Sequence, residues 1–194
     1  VYEIGKSLNF CAKKLYDFMD NLLFWAKSQM SSIGINHANL NLRNLVSEVL
    51  DTYRHSASLK QIELVNDVPW NYEIQTDANL LKIVLRNLIS NAIKYTNAAG
   101  KVRVAAQIQK DKSSNRITIS VSDNGVGMDQ QTLNALFSHL KLPSVIGTGG
   151  EEGSGLGLFF TKEMVEKLGG TIWVESQKNI GSTFSISLPT ILIN

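Results

Sequence analysis

Asn87, Asn91 and Lys94 stand at i, i+4 and i+7. On an α-helix these positions share roughly 60° of arc, so the three polar side chains form one stripe. Two amide oxygens can ligate a hard cation such as Mg²⁺, which takes oxygen ligands and keeps several waters, and a lysine one turn on can meet phosphate oxygens. A solvated helix face is the plainer account, but two asparagines on one face are mildly unfavourable in a helix, which weighs against it. Further along, Asp123 continues the alternating apolar row Ile117, Ile119 and Val121 and leads into Asn124-Gly125-Val126-Gly127. A carboxylate at an apolar-face position needs a donor, and the exocyclic amine of adenine is one. Asn124-Gly125 is also a hairpin signal, yet Asp129-Gln130-Gln131-Thr132-Leu133 reads as a helix start, not a returning strand. The third group is Gly147 to Leu158, GTGGEEGSGLGL, with six glycines in one short loop, and an amphipathic pattern from Phe159 to Leu168 follows it. A glycine-rich loop feeding a helix start lets backbone N–H groups close on phosphates. Together the three groups predict a site for a nucleotide and a metal.

Two commoner phosphate motifs do not fit. For a dinucleotide fingerprint counted from Gly155 or Gly153, the third glycine position holds Phe160 or Leu158, and no strand precedes the loop. A Walker-type loop would need Gly-Lys-Ser/Thr, which does not follow. His37, His55 and His139 have no mutual spacing that suggests a metal, and each reads as a surface or partly packed residue.

The elements that must position these residues read as follows. A helix spans about Ser7 to Ile33, with Leu8, Leu15 and Leu22 every seven residues and Cys11, Phe18 and Trp25 between them. This apolar stripe wants a partner helix; the plain alternative is a helix lying on the following domain. Ser31 to His37 reads as a linker. The rest reads as one domain with strands at 39–42, 62–68, 72–76, 101–109, 116–123, 171–176 and 182–188. Helices are expected at 43–59, at 129–137, from an Asp77 N-cap to Tyr95, and from Ser154 to Leu168, ended by Gly169-Gly170. The late strands alternate sharply between apolar and polar residues. The expected fold is therefore α/β, of the α+β kind: a two-layer sandwich with a mixed or antiparallel sheet, helices on one face and solvent on the other.

Composition bounds the function. Among 194 residues, Lys and Arg number 19 against 17 Asp and Glu, and the basic residues are scattered, so nucleic-acid binding is not indicated. The single cysteine, Cys11, excludes an internal disulfide and a cysteine-based zinc site and fits a reducing compartment. No apolar run approaches the roughly 20 residues of a membrane helix, and no stretch has a signal-peptide layout. A chain that begins at Val reads as a piece of something longer.

The motifs together resemble those of sensor histidine kinases. Leu85 to Thr96, LRNLISNAIKYT, is similar to their N box; Asp123 to Met128, DNGVGM, to the first glycine box; Leu136-Phe137 to the F box; Gly153 to Leu158, GSGLGL, to the second glycine box; and Gly181 to Phe184, GSTF, to the closing strand motif. The resemblance runs from about Leu40 to Pro189. Leu22 to Lys27, LLFWAK, also resembles the second helix of the dimerisation domain, especially in hybrid two-component sensors.

The resemblance implies a Bergerat (GHKL) ATP-binding fold at 39–194 and part of a dimerisation and phosphoacceptor domain at 1–34. It implies ATP and Mg²⁺, with Asn91 holding the metal and Asn87 supporting it, Lys94 on phosphate and Tyr95 lining the nucleotide. Asp123 would accept from adenine, with Thr183 assisting through water, and Gly125 and Gly127 would let the chain pass close to the base. Phe137 belongs to the F box. Residues from about Ser138 to Gly153 would form a lid, with Gly153 at the nucleotide site, and the N–H groups from Ser154 through Gly155 and Leu156 to Gly157 would hold phosphates. The implied activity is transfer of the γ-phosphoryl to a histidine and then to an aspartate on a response-regulator receiver domain. The implied partners are the first dimerisation helix of the same protein and a second copy in a homodimer, with the parent anchored in the bacterial inner membrane and this part on its cytoplasmic side.

Two departures stand out. In the family the acceptor is a His followed by an acidic residue; here Ala38, Ser56 and Leu140 follow the three histidines, so the acceptor is expected outside this chain. The lid is irregular, with Glu151-Glu152 before Gly153 and Ser138-His139-Leu140-Lys141 in place of the usual pattern. That irregularity leaves a degenerate nucleotide-binding regulatory module as the alternative. A gyrase-like or Hsp90-like ATPase is disfavoured, because the position of its water-activating glutamate holds Asn87, and an amide is no general base.

Overall fold

The structure is a computed structural model that describes residues 19, 35–110, 115–136, 146–151 and 155–189. Contacts divide the chain into two units, Val1–Ile35 and Asn36–Asn194. Of the expected N-terminal helix only Met19, which is helical, is described; the rest of that expectation lies outside the described residues.

Within the second unit, strand β1 (Ala38–Asn41) leads directly into helix α1 (Leu42–Leu59). Asn41 caps α1 by accepting from the Asn44 N–H at 3.0 Å, and Leu42, Leu45, Val46, Val49 and Leu50 make its buried face. Strands β2 (Glu63–Asp67) and β3 (Glu73–Thr76) follow. Asp77 then caps helix α2 (Ala78–Tyr95), as expected, accepting from Asn79 N–H at 3.0 Å and Leu80 N–H at 3.1 Å. The predicted apolar face of α2, from Leu80 to Ala92, is buried, and Ile93 extends it. Strands β4 (Lys101–Lys110) and β5 (Asn115–Asp123), the short helix α3 (Gln130–Ala135), helix α4 (Gly157–Lys167) and strands β6 (Thr171–Gln177) and β7 (Gly181–Pro189) complete the unit.

One mixed sheet has the order β2-β4-β5-β7-β6; β2 and β4 are parallel and the other neighbours antiparallel. β1 and β3 form a separate antiparallel pair. α1, α2 and α4 cover one face of the five-stranded sheet. The rows Val102 and Val104, Ile117, Ile119 and Val121, and Phe184, Ile186 and Leu188 all point into that layer and are buried, as their alternation requires.

The other face departs from expectation at one place. Ser185 and Ser187 were expected in solvent but are buried. β7 lies between β5 and β6, so neighbouring side chains close over it: Ser185 pairs with Ser120 at 2.9 Å and faces Trp173, while Arg116 Nε donates to Ser187 Oγ at 2.9 Å. Hydroxyls tolerate that burial because each has a partner. α4 also starts later than the expected Ser154, at Gly157. Gly155 has φ +71°, which a right-handed helix does not admit. Its other end is as read: Gly169 N–H donates to Glu166 O at 2.9 Å and Gly170 N–H to Val165 O at 2.8 Å, a Schellman ending.

Candidate functional site at the end of helix α2

The last four carbonyls of an α-helix have no partner within the helix. In α2 all four are met, by Thr96, Lys60, Thr148 and Val126. Ala92 O accepts from Thr96, at 3.0 Å from its N–H and 2.6 Å from its hydroxyl. Ile93 O accepts from Lys60 Nζ at 2.9 Å. Lys94 O accepts from Thr148 N–H at 3.0 Å and Lys60 Nζ at 3.2 Å. Tyr95 O accepts from Val126 N–H at 3.1 Å. The helix that carries Asn87, Asn91 and Lys94 is thereby tied to the glycine pair after β5 and to the described part of the glycine-rich loop. Motifs far apart in the chain meet at one place.

Asn87, Asn91 and Lys94 are all half-buried. Asn87 Nδ2 donates to Thr161 Oγ1 of α4 at 2.6 Å, and Thr161 Oγ1 donates to Gly157 O at 2.9 Å. A Cβ on Gly157 would stand 2.4 Å from Asn87 Oδ1, so the glycine lets the start of α4 close on α2. The Asn91 side chain makes no hydrogen bond among the described residues, which leaves its amide oxygen available. Lys94 Nζ donates to Tyr95 OH at 2.9 Å and stands 4.6 Å from the centre of that ring.

Asp123 sits at the inner-face end of β5, half-buried, with Oδ1 accepting from Gly125 N–H at 2.9 Å and Ser182 N–H at 3.3 Å. Burial pushes its carboxyl above the ordinary aspartate value, against the pull of those two N–H groups. It borders an open cleft with Glu175, Gln177, Ile180, Ser182 and Thr183. Thr183, the expected helper of Asp123, stands on the neighbouring pair of the ladder. Thr183 pairs with Ser122, to whose hydroxyl it donates at 3.0 Å, and the pleat sets both on the outer face. The residue across from Asp123 is Ser182, whose buried hydroxyl lies 3.0 Å from Ser176 Oγ. The signal was present in the chain: Phe184, Ile186 and Leu188 face inward, and a period of two puts Ser182 with them.

Gly125 and Gly127 have a reason within the protein itself. A Cβ at 125 would lie 2.2 Å from Tyr95 O, and one at 127 would lie 2.0 Å from Gln177 O. Both positions approach the protein's own backbone closely. Gly127 additionally has φ +58°. Left-handed strain and overpacking add here, so Gly127→Ala should lose about 3 kcal/mol of stability in denaturant titration.

The loop 146–151 folds around Glu151. Gly147 N–H donates to Glu151 O at 2.7 Å, Gly149 N–H donates to Glu151 Oε2 at 2.8 Å, and Lys60 Nζ stands 3.1 Å from Oε1. Burial pushes this carboxyl up, but its own N–H, that of Gly149 and the Lys60 ammonium outweigh it and hold it below the usual range. Lys60 is the residue that sequence reasoning missed. Its partners Thr148 and Glu151 lie 88 and 91 positions away, and nothing local marks a lysine at a helix end as more than solvated.

Leu156 caps α4 without a side-chain bond, and Gly155 and Leu156 are half-buried beside the helix start. Phe137, Gly153, Ser154 and His139 lie outside the described residues. His37 and His55 are exposed. Among the described residues no three His, Cys, Asp or Glu side chains form a metal cluster, and no helix is long and apolar enough to cross a membrane.

Residues 76–191 match the family described as histidine kinase-, DNA gyrase B-, and HSP90-like ATPase. The chain is 33% identical over 181 residues to the sensor histidine kinase GacS of Pseudomonas protegens, covering 91% of this chain and 20% of that one. It therefore spans about a fifth of the length of such curated relatives. The mycobacterial sensor histidine kinase MprB superposes with a TM-score of 0.67 at 25% identity, covering 81% of this chain and 100% of that one. The histidine kinase ThkA, solved in complex with the response regulator TrrA, superposes with a TM-score of 0.71 at 20% identity, over 97% of this chain and 52% of that one.

Proposed function

Because the chain belongs to the histidine kinase-, DNA gyrase B- and HSP90-like ATPase family, we propose that this ATP-binding catalytic domain, homologous to those of sensor kinases, passes the γ-phosphoryl of ATP to a histidine carried outside this chain. The observation that supports this best is the convergence at α2: the base-side carboxylate of Asp123 and the phosphate-side ammonium of Lys94 are linked through consecutive carbonyls of one helix end. Such a site performs positioning and charge neutralisation, which is most of what phosphoryl transfer asks of a protein.

In this reading Asp123 accepts from the adenine amine, with Ser182 beside it in the role expected of Thr183. Tyr95 lines the site, Lys94 meets phosphate oxygens, and the N–H groups near Gly155, Leu156 and Gly157 face the phosphate chain, with Gly153 and Ser154 leading in. Mg²⁺ fits the donor set, since the Asn91 amide oxygen is a hard, unengaged ligand beside Lys94. When bound, the cation neutralises phosphate charge. Asn87 supports it, its amide nitrogen orienting α4 through Thr161. An amide is no general base, which speaks against a water-activating role for Asn87 and so against an ATPase. The partners are the first helix of a dimerisation domain of the same protein, of which residues 1–34 would be the second, a second copy, and a response-regulator receiver domain. The parent is a bacterial inner-membrane sensor with this part on the cytoplasmic side.

Asn91→Ala tests the metal assignment. Calorimetric titration of ATP with Mg²⁺ and with EDTA should give affinities that no longer differ, at an unchanged melting temperature. A variant that keeps the full Mg²⁺ dependence would remove Asn91 from the metal site.

A further inference from the structure

Lys60 lies at the end of α1, with its side chain 16% exposed. Its ammonium reaches four acceptors: Ile93 O at 2.9 Å, Lys94 O at 3.2 Å, Thr148 Oγ1 at 2.7 Å and Glu151 Oε1 at 3.1 Å. Two belong to the end of α2 and two to the loop 146–151. A lysine has three donors, so every one is engaged. The position suits a cation on its own terms, since the carbonyl end of a helix carries partial negative charge.

The acceptors matter because of what stands beside them. Gly147 packs against the stem of Lys94: a Cβ there would lie 2.6 Å from Lys94 Cγ and 2.9 Å from Lys94 O. Thr148 holds the same residue's carbonyl and donates its hydroxyl to Thr96 O at 2.6 Å. The loop is thus one wall of the space in which Lys94 runs, and Lys60 with Glu151 fixes that wall. Glu151, which reads in the sequence as an irregularity, has a defined place as the counter-charge of this corner.

We propose that Lys60 is a positioning residue for the phosphate end of the nucleotide, acting through the 146–151 loop and the backbone of Lys94 without touching the ligand. This rests on the assignment of Lys94 to phosphate. The claim is directional. The corner lies on the Lys94 side of α2, while the adenine side is held by Asp123, Gly125 and Ser182, which share no hydrogen bond with Lys60. Loss of Lys60 should therefore weaken ligands that carry phosphates and spare those that do not.

The test compares ATP, ADP and adenosine binding to the 194-residue chain by calorimetric or displacement titration. Lys60→Met keeps the apolar stem and removes the charge-assisted bonds; it should weaken ATP and ADP about tenfold and leave adenosine within a factor of about two. Lys60→Arg should recover part of the loss. Glu151→Gln leaves the two carbonyls and Thr148 in place, so it should act in the same direction and less strongly, and it serves if Lys60→Met folds poorly. In a Lys94→Met background, Lys60→Met should add little. Equal loss of ATP and adenosine would mean that Lys60 only supports the fold, and unchanged ATP affinity in both variants would mean that the corner does not reach the ligand; either overturns the proposal. A wild-type chain that binds adenosine but gains nothing from phosphates would instead overturn the Lys94 assignment.

Discussion

Asp123→Asn should lose ATP and ADP alike, each by about 2 kcal/mol, or roughly thirtyfold. The carboxylate stands at the end of an apolar row with one oxygen already bonded to Gly125 and Ser182 N–H groups, and in the proposed reading its other oxygen accepts from the adenine amine. An amide can turn an N–H toward that amine, and two donors then face each other. The effect belongs to the base, which ATP and ADP share, so their affinities should fall in parallel. The pH dependence has a definite sign. Burial raises the Asp123 pKa above the ordinary value. The ionised form is therefore penalised in the folded chain, and this group disfavours folding increasingly as pH rises through its raised pKa. Binding runs the other way, because adenine needs the ionised acceptor: affinity should fall as pH drops through that raised pKa, earlier than for an ordinary aspartate. Asp123→Asn should flatten this profile. Ser182→Ala should weaken both nucleotides by a smaller amount and Thr183→Ala should not, since the Thr183 hydroxyl bonds to Ser122 on the outer face. Titrations across pH check all three; a wild-type affinity that stays flat in acid, with Asp123→Asn binding normally, would move adenine elsewhere.

Much of this was legible in the chain because it depends on local periodicity. Alternation in β4, β5 and β7 gave the inner rows, and the Asp77 cap and the apolar face of α2 were plain from a few adjacent residues. What was not legible had two physical causes. Some required following a known rule further: the inward parity of Phe184 and Ile186 already places Ser182, not Thr183, across from Asp123. The rest depended on approach between distant segments. The uses of Gly125, Gly127 and Gly157 are set by Tyr95, Gln177 and Asn87, and the Lys60 corner closes across 91 positions. Residue type at one position carries little trace of a partner so remote. The late start of α4 is of the same kind: Gly155 takes φ +71°, which a glycine permits but does not announce.

The 194-residue chain should bind ATP and yet fail to become stably phosphorylated, the largest effect expected here. No histidine in it is followed by Glu or Asp; Ala38, Ser56 and Leu140 take those places. His37 and His55 are exposed, and neither is among the groups gathered at the end of α2. In-line transfer needs the acceptor imidazole held against the γ-phosphorus, and an untethered or misplaced acceptor gives up on the order of a hundredfold or more in rate. A longer chain that supplies an acceptor-bearing helix should become labelled, because the imidazole is then held where in-line transfer can reach it. Radiolabelled ATP, with acid-labile and base-stable phosphate as the readout, decides between outcomes. Efficient labelling of His37, His55 or His139 in the 194-residue chain would place the acceptor within it. A longer chain that binds ATP, contains the acceptor helix and stays unlabelled would make the domain a nucleotide-responsive regulator rather than a kinase. Labelling only in the longer chain, abolished when its acceptor histidine is replaced, would tie the geometry at the end of α2 to transfer.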